Sequence, residues 1–226
     1  MAQPVGLRSF NRNRERKRLC GHILGAYILL VLAVRMTEIR IHGRGGQGNV
    51  VAAYILAQAA FECGKFAQAF PSFGPERRGA PVTAFVRITG IPIRRHCQVL
   101  QPAFLVLQDH ALLHSPETTE GLLPEGRILV NSSKPIEAPT AGNGHEVVVI
   151  PAASLAMEYL GKPVPNTALL AALVTLTEIV PLGALEKALA LRFRDETLEH
   201  NVRLVRKAAQ IVPAGLWKET VNARSH

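Results

Sequence analysis

The hexapeptide Gly43-Arg44-Gly45-Gly46-Gln47-Gly48 decides how this chain is read. It follows Glu38–His42, an alternating and β-branched run that predicts a first strand. It precedes Asn49–Cys63, which predicts a helix. Gly43, Gly45 and Gly48 satisfy the G-x-G-x-x-G spacing of a strand-to-helix turn. Glycines there permit positive φ and let backbone N–H groups face an anion at the helix N-terminus. A dinucleotide site also needs an acidic residue about 20 positions on, at the end of the second strand, to bind the ribose. That region, Lys65–Phe70, offers Gln68 but no Asp or Glu. Two readings of the turn follow: packing and subunit contact, or a phosphate or nucleotide cradle. In either, Arg44 and Gln47 can hydrogen-bond a partner's backbone or a phosphate.

Outward from the turn, strands and helices alternate. The Asn49–Cys63 helix is apolar almost all round (Val50, Val51, Ala53, Tyr54, Leu56, Ala57, Ala60, Phe61), which predicts burial on both sides. Gly64 is placed to end it. Phe66–Phe70 reads as a short strand, Pro71–Ala80 as a loop, and Pro81–Ile88 as a third strand. Ala103–Gln108, Arg127–Val130 and Glu146–Ile150 are further β-rich runs, and Asn131–Gly144 reads as a Ser/Pro/Gly loop. The C-terminal third is helical. Asn166 is expected to cap a helix to Val180 that Pro181 halts; others span about Leu182–Phe193 and Asp195–Val212. In the last, Leu198, Val202, Val205, Ala209 and Val212 share one face, with Arg203, Arg206, Lys207 and Gln210 outside. The alternation argues for a Rossmann-like α/β domain: a largely parallel sheet flanked by helices.

Length and composition agree. The 226 residues suit one such domain, and the 48% hydrophobic content, with mean hydropathy +0.15, points to surface covered by partner subunits. The net charge of +9 is uneven: residues 1–35 carry +6, leaving +3 for 36–226 without a basic stripe. Nucleic-acid binding is therefore set aside. Cys20, Cys63 and Cys97 are scattered and form no C-x-x-C, so neither a zinc site nor an iron–sulfur ligand set is encoded. An odd, scattered count suits a reducing cytoplasm.

Residues 1–35 are basic to Arg18 and apolar from Ile23 to Val34. Twelve residues fall short of the roughly 20 that span a bilayer, and no small-x-small cleavage site follows. Met36, directly before strand one, reads as the natural start. The expected division is thus 1–35, a non-native or flexible extension, and 36–226, a single α/β domain. The rival for 1–35 is an interfacial membrane anchor, which would make the chain a membrane-associated interaction protein.

The second site candidate is Glu76-Arg77-Arg78, within Pro71–Ala80. Adjacent arginines on a Pro/Gly-bounded loop suit carboxylates across an interface or a phosphate; a solvated loop tip is the plain alternative. His42, His96, His110, His114 and His145 have no metal-ligand spacing, and Asp109-His110 reads as an ordinary strand-end polar pair. The chain has two aspartates, Asp109 and Asp195, which leaves little for a metal–diphosphate site. No catalytic residue and no metal ligand is assigned.

Ile39–Gly48 (IRIHGRGGQG), the apolar helix behind it, Ala67–Val82 (AQAFPSFGPERRGAPV) and Asn166–Val180 together resemble the gamma subunit or domain of pyruvate:ferredoxin oxidoreductases, within the wider 2-oxoacid:ferredoxin oxidoreductases. The resemblance runs from Thr37 to about Val212. The double Arg followed by Ala-Pro-Val resembles the pyruvate or branched-chain branch more than the 2-oxoglutarate branch.

The resemblance implies a reaction in which a 2-oxoacid, coenzyme A and oxidised ferredoxin give acyl-CoA, carbon dioxide and reduced ferredoxin. It can also run in reverse as pyruvate synthase. Thiamine diphosphate with Mg2+ and [4Fe-4S] clusters carry the hard chemistry on alpha, beta and delta subunits. The gamma chain, which lacks a Gly-Asp-Gly and ferredoxin-type cysteines, is implied to bind none of these alone and to be inactive by itself. Gly43, Arg44, Gly45, Gly46, Gln47 and Gly48 are then cofactor-binding or interface candidates. Glu76, Arg77 and Arg78 are interface or phosphate-contact candidates. The alternative is a freestanding NAD(P)-binding oxidoreductase using the glycine turn.

Overall fold

A computed structural model describes residues 36–73, 81–95, 97–134, 136 and 144–221. The chain divides into units 1–34 and 35–226, and the first lies outside the described residues. Glu76, Arg77 and Arg78 also lie outside them, as do Cys20, His96 and most of the Asn131–Gly144 run.

Six strands form one sheet in the order β2-β3-β1-β4-β5-β6. They are β1 (Met36–Arg44), β2 (Phe66–Phe73), β3 (Pro81–Thr89), β4 (Phe104–Leu107), β5 (Arg127–Asn131) and β6 (Glu146–Ile150). Three of the five pairings, β1–β4, β4–β5 and β5–β6, are parallel, as the alternation predicts. The other two, β2–β3 and β3–β1, are antiparallel, because the hairpin partner β3 returns between β1 and β2. The expected α/β fold is thus half doubly wound sheet and half hairpin.

Register in the hairpin half is fixed by a buried ion pair. Gln68, Arg87 and Glu38 stand opposite one another on adjacent strands. Arg87 Nε donates to Glu38 Oε1 (2.7 Å), Nη1 to Gln68 Oε1 (3.1 Å) and Nη2 to the Gln98 carbonyl (3.2 Å). The guanidinium lies 5.4 Å from the centroid of Phe70. Slipping by one residue would turn each of these side chains to the other face.

Helix α1 (Asn49–Glu62) follows β1, and α2 (Pro116–Thr119) is a single turn after the 3-10 segment His110–His114. Helices α3 (Ala152–Leu160), α4 (Asn166–Thr177), α5 (Leu182–Arg192), α6 (Asp195–Ala209) and α7 (Lys218–Val221) complete the chain. Alternate strand residues split two cores. Ile39, Ile41, Phe104, Val106 and Leu129 pack with helices α1 and α3–α6, whereas Leu105, Leu107, Ile128 and Val130 pack with Leu113 and Leu122.

Several expectations change: α4 ends at Thr177, short of the expected Val180, and β2 runs to Phe73, into the expected Pro71–Ala80 loop. Helix α1 is not buried on both sides: Tyr54 and Phe61 stand about half exposed on its outer edge. Asn166 is the first helical residue of α4, not its cap; Pro165 takes that place, and Asn166 Oδ1 accepts from the Thr167 N–H (2.7 Å). The buried stripe of α6 centres on Asn201, Leu204, Val205 and Ala208, one residue off the expected face. Asn201 Nδ2 donates there to the Thr197 carbonyl (2.8 Å), while its Oδ1 has no partner among the described residues. No helix among the described residues is long and apolar enough to cross a membrane.

Candidate functional site at the glycine turn

The glycine turn leaves the C-terminal end of β1, where the chain goes one way to α1 and the hairpin while β4 begins the other half of the sheet. In open α/β sheets ligands settle at such a switch point. Two hydrogen bonds shape the turn. The Gln47 N–H donates to the Arg44 carbonyl (3.2 Å), and the Arg44 N–H to Gln47 Oε1 (2.7 Å). Gly46 and Gly48 have φ of 93° and 79°, a region that favours glycine.

The four glycines are not equivalent. A methyl at Gly43 would run into the Asn49 and Gln47 carboxamides, and one at Gly48 into that of Asn166. These two are filled by the chain's own packing. Among the described residues, nothing lies within 4 Å of the positions a methyl would take at Gly45 and Gly46. That open stretch lines a cleft of about 310 Å³ with Arg44, Gly48, Asn49 and Val82. The N-terminus of α1 faces it, so its first amides and dipole favour negative charge there.

Arg44 is anchored from across the switch point. Its Nε donates to Asp109 Oδ2 at 2.6 Å, while Asp109 Oδ1 accepts from the Ala111 N–H at 3.0 Å. Burial alone would raise the Asp109 pKa. The Arg44 hydrogen bond, the Ala111 N–H and the charges of Arg44 and His110 outweigh that and hold it below the ordinary carboxylate value. The strand-end aspartate is therefore tied to the glycine turn. His110 stands off, its Nδ1 4.0 Å from Asp109 Oδ1. The spacing of 65 residues hid this pair; the signal was that Asp109 is one of two aspartates and ends a strand.

His42, among the scattered histidines, is buried beside the turn. Burial, helped by the charge of Arg40, pushes its pKa down to about 4, so the ring is neutral at pH 7. Its Nδ1 lies 3.4 Å from Thr83 Oγ1, and its Nε2 has no partner among the described residues. Among the described residues no three His, Cys, Asp or Glu side chains gather as a metal site. Cys63 Sγ donates to the Ala59 and Ala60 carbonyls (3.4 and 3.3 Å), and Cys97 is exposed.

The sheet order also bears on nucleotide binding. A dinucleotide fingerprint takes its ribose acid from the end of a parallel strand beside the first. Here that neighbour is β3, which runs antiparallel, and β2 lies one place further out. The missing acid at Lys65–Phe70 and the strand order each count against a ribose site there.

Residues 38–211 match the family model for pyruvate ferredoxin/flavodoxin oxidoreductase. The chain is 45% identical over 176 residues to the common gamma subunit of the pyruvate/ketoisovalerate oxidoreductases of Pyrococcus furiosus, covering 76% of this chain and 95% of that one. It is 44% identical to pyruvate synthase subunit PorC of Methanocaldococcus jannaschii, over 78% and 94% of the two chains. Its fold matches the crystal structure of pyruvate oxidoreductase subunit PORC of Thermotoga maritima, with TM-score 0.70, 39% identity and coverage of 78% and 96%. On these matches the chain belongs to the pyruvate ferredoxin/flavodoxin oxidoreductase family, as a subunit of the gamma type.

Proposed function

We propose that this chain is the gamma subunit of a pyruvate-type 2-oxoacid:ferredoxin oxidoreductase. That complex oxidatively decarboxylates the 2-oxoacid with coenzyme A to acyl-CoA, carbon dioxide and reduced ferredoxin, and can run in reverse as a pyruvate synthase. The observation that carries this is the end-to-end match: 95% of the Pyrococcus furiosus gamma subunit aligns at 45% identity. The freestanding NAD(P) oxidoreductase gains no support from it, and the antiparallel β3 removes the strand end that would hold the ribose acid.

The chain works with alpha, beta and delta subunits in the cytoplasm. Thiamine diphosphate, which with Mg2+ supplies the carbanion chemistry when bound, belongs to those partners, as do the [4Fe-4S] clusters. The chain's own contribution is the glycine turn. Gly45 and Gly46, open to the cleft, with Arg44 held by Asp109, form a seat for a partner's carboxylate or for a phosphate such as those of coenzyme A. Glu76, Arg77 and Arg78 are a second set of residues for an interface or a phosphate contact. Residues 36–226 are the working domain, and 1–35 is an extension outside it.

The test is a native pull-down under anaerobic conditions with the chain tagged at its C-terminus, followed by CoA- and pyruvate-dependent dye reduction. Recovery of thiamine- and iron–sulfur-bearing partners with activity is expected. A lone chain without partners would overturn the reading. Arg78→Ala should weaken assembly or turnover while leaving the isolated fold intact.

A further inference from the structure

The glycine turn rests on a layer of carboxamides that the anion-seat reading does not use. Along the sheet's C-terminal edge, β1 pairs with β4 to His42 and Leu107, and β4 with β5 to Leu107 and Val130. The Gln108 N–H donates to the His42 carbonyl at 2.9 Å. The next row is therefore Gly43, Gln108 and Asn131, on the face that lower down carries Ile41, Val106 and Leu129. Gly43 has no side chain, and the Asn49 carboxamide occupies the space its methyl would fill. Three primary amides thus stand side by side where the apolar core ends.

Their hydrogen bonds do not close. Asn131 is satisfied: its Nδ2 donates to the Gln108 carbonyl (3.0 Å) and its Oδ1 accepts from the Ala153 N–H (2.9 Å). Asn49 Nδ2 donates to the Val82 carbonyl (2.8 Å), but its Oδ1 has no partner among the described residues. Among the described residues neither Gln108 Nε2 nor Oε1 has one, although Gln108 is 1% exposed and Asn49 3%. Leaving a buried polar atom unmet is unfavourable, and such groups in folded proteins have partners, ordered water included.

We infer that Gln108 and Asn49 form an internal binding site, beneath the glycine turn, for one neutral hydrogen-bonding molecule, water in the free chain. The donor inventory sets the class. Gln108 Nε2 offers a hydrogen while Gln108 Oε1 and Asn49 Oδ1 accept one each, so the occupant must both donate and accept. An anion would meet two carbonyl oxygens. A cation would sit at the N-terminal end of α1, where the dipole opposes it. Water satisfies all three atoms with the two to four bonds that buried waters make. It links the end of β4, which continues into Asp109, to the first residue of α1. Because Asn49 also lines the cleft, this molecule is the polar floor beneath whatever the turn holds.

The experiment is a high-resolution crystal structure of the full-length chain alongside its Gln108→Met variant, an apolar side chain of similar length. The expected result is one water peak within about 3.2 Å of both the Gln108 carboxamide and Asn49 Oδ1, lost in the variant. A dry pocket in the unmodified chain, with Gln108 turned onto protein atoms, would overturn the inference. So would a peak that persists unchanged in the variant. The unmodified chain alone suffices for the first outcome, so the test stands even if the variant does not fold.

Discussion

The two edges of the sheet are built on opposite terms. At the N-terminal edge of the parallel strands the chain closes on itself. Trp217, 1% exposed, stacks on Phe104 at the start of β4 with ring centroids 6.0 Å apart. Its Nε1 donates to Glu146 Oε1 at the start of β6 (3.1 Å), and its backbone N–H to the Leu176 carbonyl (2.7 Å). Thr37 Oγ1, at the start of β1, reaches the Val221 carbonyl at 3.4 Å. At the C-terminal edge, no described residue covers the side-chain positions of Gly45 and Gly46, and Gln108, Asn49 and His42 keep buried polar atoms without a partner among the described residues. One edge spends its side chains on closure, and the other keeps them available. The difference teaches where to look: stability should respond at the first, and assembly and ligand contact at the second.

The largest effect should come from breaking the closed edge. Trp217→Ala removes the largest fully buried side chain and leaves the Phe104 face and Glu146 uncovered. A loss of about 3–5 kcal/mol is expected, read as a lower urea midpoint for the full-length chain. A loss below about 1 kcal/mol would mean that the C-terminal return is decoration rather than a seal.

Acid should act at the other edge, through His42. Its folded pKa, about 4, lies below the ordinary value of 6.5, so the unfolded chain binds the proton more readily. Stability from keeping the ring neutral is therefore complete above pH 6.5 and is lost as pH falls toward 4. The two pKa values bound the loss at about 3 kcal/mol. Comparing urea midpoints at pH 7 and 4.5 for the unmodified chain and His42→Asn isolates it. The variant should lose less over that interval, and equal slopes would assign the acid sensitivity elsewhere.

Within the turn itself, two glycines sharpen the contrast. Gly48→Ala meets Asn166 and a φ of 79°, and should cost about 2 kcal/mol. Gly45→Ala meets open space and should change stability by no more than about 0.5 kcal/mol, while intruding on the cleft. A thermal melt of both variants beside the pull-down separates packing from contact. Comparable stability losses in the two would erase the distinction between filled and open glycines.

Much of this architecture was legible in the chain. Strands β1, β3, β5 and β6 were readable from alternation and β-branching, and β6 from Glu146 to Ile150 agrees at both ends. The turn was readable because glycine spacing is a backbone requirement, local in sequence. Antiparallel β3 between β1 and β2 was not, since strand order depends on which hairpin closes and not on any window of residues. Helix α3 went unread because Ala152–Leu160 is short, follows Pro151 and has no capping residue. The Arg44–Asp109 tie and the Gly43–Gln108–Asn131 row need the sheet register before they exist. Glu76, Arg77 and Arg78 were legible as a loop of charge, and they lie outside the described residues.

A small stability effect is also expected at the residue most directly offered to a partner. Arg44 is 49% exposed on its side chain, whereas Asp109 is 19% exposed. Water screens the pair, so Arg44→Ala should cost less than about 1 kcal/mol in the isolated chain. The same substitution removes a guanidinium that Asp109 holds at the rim of the cleft, and with it a forked donor for a carboxylate or phosphate. Assembly or CoA-dependent turnover should therefore fall well beyond what the melt accounts for, and Arg44→Lys should recover charge without the fork. A melt shifted by several degrees with assembly intact would place Arg44 with Trp217, among the residues that close the fold.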